Sequence, residues 1–115
     1  MRDLEELKGR VRAFVQERDW DRFHSPKNLA MALSVEASEL VELFQWLTEQ
    51  ESSALASERR LLVADELADV LWFLARIADR LDIDLLAAAE AKFATNAEKY
   101  PAQRVRGQAR KYDEY

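Results

Sequence analysis

The sequence predicts an all-α fold: a bundle of four main helices, completed by oligomerisation. Three observations carry this expectation. Only 2 Gly and 2 Pro occur in 115 residues, which disfavours a turn-rich β fold and suits long helices. Apolar residues recur at steps of three and four in three separate stretches. The hydrophobic share is 49%, enough for a core, yet so short a chain leaves apolar helix surface uncovered, and self-association would cover it. The length implies a single domain, 1–115, with 101–115 as a C-terminal tail.

The first helix is expected from Leu4 to Arg18. Asp3 can cap it, Glu6 completes a capping box, and Leu4, Leu7, Val11, Phe14 and Val15 form the buried stripe. A connector, Asp19 to Ser25, holds two aromatics and the only histidine. Spacing alone favours Trp20 and Phe23 as staples to the core and His24 as a surface residue. The other reading makes the aromatics a platform for a flat ligand. Ser25 then caps a second helix with Pro26 at its first position, where the missing N–H costs nothing. This helix is expected to reach Thr48, with Leu29, Leu33, Ala37, Leu40, Phe44 and Leu47 on its apolar arc. Residues 49–57 read as a polar loop with Ser57 as a cap. The third helix follows, Glu58 to Leu81. Asp84 caps the fourth, Leu85 to Tyr100, which Pro101 stops.

A net charge of −5 argues against a nucleic-acid polymer or an anionic membrane as partner. It leaves a small anionic substrate open, because bound divalent cations invert the local charge. The absence of cysteine excludes disulfides and thiolate metal sites. Leu4, Leu7, Val11 and Phe14 are separated by polar residues, so no secretory signal is expected, and no apolar run approaches the ~20 residues of a membrane span. The expected location is cytoplasmic.

Two acids break the apolar pattern. Glu36 falls inside the arc of the second helix, and Glu39 lies one turn on. In the third helix Leu62, Glu66, Val70, Phe73 and Ile77 share a flank that Glu66 interrupts, with Asp69 at i+3. A carboxylate inside an apolar stripe is costly unless it is paired or bound to a cation. Acidic i, i+3 pairs occur at five places in this chain, so spacing alone leaves open whether these acids form a site or an edge of charge. As ligands, all four would be hard carboxylate oxygens, which suit Mg²⁺ or Mn²⁺ and disfavour structural zinc. With one histidine, the Glu-x-x-His pairs of a di-iron bundle cannot form. The fourth helix places Lys92, Asn96 and Lys99 on one face at i, i+4 and i+7, followed by Tyr100. This is either a solvated face or a set of phosphate contacts. The tail adds Arg104, Arg106, Arg110 and Lys111.

Five stretches together resemble a known family: RDWDRFH-x-P-x-NL (Arg18 to Leu29), E-x-x-E-x-x-E-x-FQW (Glu36 to Trp46), DELADVL (Asp65 to Leu71), K-x-x-x-N-x-x-KYP (Lys92 to Pro101) and RKY (Arg110 to Tyr112). In this order they resemble the MazG-like all-α nucleoside triphosphate pyrophosphohydrolases, and within that group the dCTP pyrophosphatases. The resemblance implies that Glu36, Glu39, Glu66 and Asp69 hold Mg²⁺ and form the catalytic centre. Water attack at the α-phosphate of dCTP, or of a related or modified dNTP, would release a monophosphate and pyrophosphate. Lys92, Asn96, Lys99 and Tyr100, with Arg110 or Lys111, would contact phosphates. Trp20 and Trp46 would form the base pocket with His24 and Asn28, which reverses the preference that spacing gave for Trp20. Phe73 and Val11 depart from the family pattern, where Tyr and His are frequent; both would border the nucleotide and leave base preference open. The resemblance also implies a homotetramer built as a dimer of dimers, or a dimer. Glu36, in the most apolar surroundings, is the expected general base. A non-catalytic helical oligomer and a nucleotide-sensing module are the competing readings.

Overall fold

The computed structural model describes residues 1–109, and every regular element among them is helical. The long helices are α1 (Leu4–Glu17), α2 (Pro26–Glu42), α4 (Ser57–Arg80) and α5 (Leu85–Lys99), with short helices α3 (Glu49–Ser52) and α6 (Ala102–Val105) between and after them. None is long and apolar enough to cross a membrane. The chain divides into two compact units, Met1–Asp82 and Ile83–Tyr115.

In the first unit α4 packs against both α2 and α1. Its core is small: Val11, Val15, Leu29, Ala75 and Ala78 are the buried apolar residues. Asp3 caps α1 by accepting from the Glu6 N–H at 2.8 Å, as the sequence implies. The helix then closes in a Schellman turn. The Trp20 N–H reaches the Val15 carbonyl at 3.0 Å, the Asp19 N–H reaches Gln16 at 3.1 Å, and Asp19 sits in the left-handed region at φ 54°. Aspartate tolerates that conformation better than most residues. The turn sets Trp20 edge-on to Phe14 one helical turn back, ring centroids 5.8 Å apart. Phe14 is therefore 40% exposed and faces aromatic neighbours, whereas the expected stripe had it in the core.

The second helix ends earlier than expected, at Glu42 instead of Thr48. A remote side chain and a local cap end it. Arg59 of α4 donates to the Leu43 carbonyl at 2.7 Å, satisfying a helix-end acceptor, and Thr48 opens α3 with a capping box to Glu51. The stretch read as a loop thus contains a helical turn. Ala56, not Ser57, is the N-cap residue of α4. Ala37 is exposed, and so is Leu62, although both were assigned to apolar flanks.

In the second unit Asp84 caps α5 by accepting from Ala87 N–H at 3.1 Å. The helix stops at Lys99, with Tyr100 as its C-cap before Pro101. The start of the tail forms α6.

Candidate active site

Helices α2 and α4 bring Glu36, Glu39 and Glu66 together: one carboxylate oxygen from each lies within 4.8 Å of the others. The i, i+3 spacing puts Glu36 and Glu39 on one side of α2, and Glu66 faces them from α4. Oε2 of Glu36 and Oε2 of Glu66 are buried without a hydrogen-bond partner. Such oxygens forfeit solvation with no return unless a proton or a cation supplies it. The Glu36 carboxyl is pushed up from 4.5 to about 7, first by burial and then by the neighbouring Glu39, the Asp69 charge and Glu66. Glu66 is raised too, first by burial and then by Glu39. Asp69, the fourth expected ligand, is exposed and lies outside the group of three oxygens, but its charge acts on Glu36 and Glu66.

A hard cation bound at ~2.1–2.5 Å separates its ligand oxygens by at most ~4–5 Å, so the spread of these three fits one such ion. The donor set is all carboxylate, which suits Mg²⁺ or Mn²⁺.

One turn beyond Asp69 on the same flank stands Phe73, about 10 Å along α4 from Glu66. There the aromatics gather. Trp72 lies 5.0 Å from Phe73, 6.2 Å from Phe14 and 6.1 Å from His24, and Trp20 lies 6.4 Å from His24. Trp20 is 42% exposed, so the cluster is open to solvent on that side. Of the expected base-pocket residues, Trp20, His24 and Phe73 therefore share this cluster. Trp46 does not: it is 87% exposed in the turn that follows α2. The Asn28 amide donates to the Phe23 carbonyl at 3.1 Å and braces the connector. Lys92 and Asn96 are exposed on α5 of the second unit, where Lys99 and Tyr100 are half-buried; Arg110 and Lys111 lie outside the described residues.

Sequence reasoning missed Trp72 and the ionic network beneath the connector. Arg76, almost wholly buried, pairs with Asp21 and with Asp79 (3.2 Å), and Arg12 of α1 grips Asp79 from the other side, its Nε 2.9 Å from Oδ2. A buried arginine in the core face of a helix was the only available signal.

The MazG-like family pattern matches residues 31–115. The chain belongs to the MazG-like family. Among curated MazG-like relatives, dCTP pyrophosphatase 1 of Homo sapiens is 41% identical over 113 residues, covering 96% of this chain and 66% of that protein. The Rattus norvegicus protein of that name is 41% identical over 111 residues, covering 95% of this chain and 65% of its own length. The chain thus spans about two thirds of these relatives. A crystal structure of a pyrophosphatase from Archaeoglobus fulgidus DSM 4304 superposes with a TM-score of 0.80 at 39% identity, over 84% of this chain and 91% of that one. The all-α MazG-like fold expected from the sequence is thereby confirmed.

Proposed function

We propose that this chain is one pyrophosphohydrolase domain that converts dCTP, or a related or modified dNTP, to the monophosphate and pyrophosphate with Mg²⁺. Mn²⁺ is the other cation its donors suit. The observation that carries the reading is the carboxylate cluster with two buried, unpartnered oxygens, one helical turn and more from an aromatic cluster. The names of the relatives support the reaction and the substrate class.

Glu36, Glu39 and Glu66 would hold the metal, with Asp69 adding charge on the same flank. When bound, the metal neutralises phosphate charge and polarises the reacting phosphorus. Glu36 then acts as general base. It takes a proton from the attacking water, whose own acidity the bound metal would raise. The water oxygen bonds to the α-phosphorus, the bond to the bridging oxygen breaks, and pyrophosphate leaves. Trp20, His24 and Phe73 receive the base, with Trp46 and Asn28 as further contacts. Lys92, Asn96, Lys99, Tyr100, Arg110 and Lys111 contact phosphates. Exposed apolar residues along α4, Leu61, Leu67, Leu71 and Leu74 among them, support a homotetramer or dimer, and the proposed location is the cytoplasm.

Calorimetric titration with Mg²⁺ and Mn²⁺ tests the metal site. Wild type should bind, and Glu36→Gln or Glu66→Gln should weaken binding at least tenfold and lower turnover by about 10²-fold or more. A Glu36→Gln chain that keeps both turnover and Mg²⁺ dependence would remove Glu36 from the reaction. A chain that gains thermal stability from nucleotide but never yields product is a sensing module instead.

A further inference from the structure

We propose that Arg76 is a positioning residue that holds His24 as its neutral, Nε2-protonated tautomer, giving the aromatic cluster one fixed hydrogen-bond donor for an acceptor on the substrate base. The identity of that acceptor rests on the nucleotide reading above; the tautomer rests on geometry alone.

Arg76 is 2% exposed and spends each guanidinium nitrogen on a different partner. Nη2 pairs with Asp21, Nη1 reaches Asp79 Oδ2 at 3.2 Å, and Nε reaches His24 Nδ1 at 3.3 Å. A guanidinium carries donors only, and it does not deprotonate in proteins. Nδ1 must therefore offer a lone pair, and the imidazole proton resides on Nε2. A doubly protonated ring would set N–H against N–H. The neighbouring charges divide: Arg76 and Arg80 disfavour the imidazolium, Asp21 favours it, and burial decides against it.

His24 is held at its backbone and flanked at its ring. Its own carbonyl accepts from Arg80 Nε at 3.0 Å, and the carbonyl before it accepts from Asn28. Trp20 and Trp72 flank it with ring centroids 6.4 and 6.1 Å away. Asp79, gripped by Arg12, in turn keeps Arg76 from rotating. A fixed donor discriminates between bases. The ring N3 of cytosine is an acceptor, whereas that of thymine carries a proton, so a donor there favours one pyrimidine and opposes the other.

The chain has one histidine, so its imidazole nitrogens give unambiguous long-range ¹H–¹⁵N correlations. At pH 7 the wild type should show a pyridine-type Nδ1 and a pyrrole-type Nε2. An imidazolium or an Nδ1–H tautomer would overturn the proposal without any variant. Arg76→Lys keeps the buried charge but not the three-way fork, and should mix the tautomers. In that variant and in His24→Leu, preference for dCTP over dTTP should fall about five- to tenfold, mainly through KM. The double variant should lose no more than either single one. Additive losses, or an unchanged preference, would overturn the donor role. If the wild type hydrolyses no nucleoside triphosphate, the pyrophosphohydrolase reading and the donor role fall together, while the ¹⁵N spectrum still decides the tautomer.

Discussion

Glu36 shows how one side chain couples stability to chemistry. Its folded-state pKa of about 7 lies above the ordinary 4.5. Between those values the folded chain binds more proton than the unfolded one, so the metal-free protein loses stability as pH rises from about 4.5 to about 7. Mg²⁺ replaces the proton, so its stabilising effect should grow over the same interval. Thermal melts at pH 5 and pH 8, with and without Mg²⁺, check this: the metal-induced rise in Tm should be clearly larger at pH 8. Asp79 has the opposite sign. The hydrogen bond from Arg12 holds its carboxyl below the usual range, so its contribution persists above pH ~4 and disappears as acid protonates it. Asp79→Asn would leave buried Arg76 with one carboxylate fewer and should cost about 3 kcal/mol in a urea melt. The sequence revealed Glu36 and Glu66 because a charge inside an apolar arc is a local anomaly. It hid Arg76, whose partner Asp21 is 55 residues away and cannot be found by any helical period.

Three helix starts set by neighbouring residues were legible, whereas the end of α2, set by a distant one, and the local capping box of α3 were not. Asp3, Ser25 and Asp84 each cap the helix they precede, as read from the sequence. The end of α2 depends on Arg59, 16 residues beyond Leu43, and was placed too late by extending an apolar period. That error matters for Trp46, which a continuous helix would have carried on its flank and which instead stands exposed in a turn. The Schellman turn after Glu17 gives a prediction at this scale. Asp19 has φ 54° and only an exposed ion pair with Arg22, so Asp19→Gly should stabilise the chain by up to ~1 kcal/mol in denaturant melts. If the melting point falls instead, the aspartate does more than tolerate the turn. Ser25→Ala, which removes the bond from Asn28 N–H, should cost about 1 kcal/mol in the same assay.

At the scale of the molecule, the buried core of the first unit is sparse for the apolar surface the chain carries. Leu61, Leu67 and Leu71 of α4 and Phe93 of α5 are more than two-fifths exposed. Sedimentation should return twice or four times the mass of a single chain, and a monomer at micromolar concentration would contradict the oligomer proposed above. The fold class was readable because helical periodicity and scarce Gly and Pro are properties of the whole chain. The composition of the site was readable only in part, because which acids converge depends on how α2 and α4 pack.

The central claim is that the Glu36, Glu39 and Glu66 cluster carries a divalent metal for triphosphate cleavage. Its most direct test is ³¹P NMR of the products formed from dCTP with and without Mg²⁺. Monophosphate and pyrophosphate should appear in equal amounts with Mg²⁺ and not without it. Orthophosphate with a diphosphate product, or cleavage indifferent to the metal, would contradict the account.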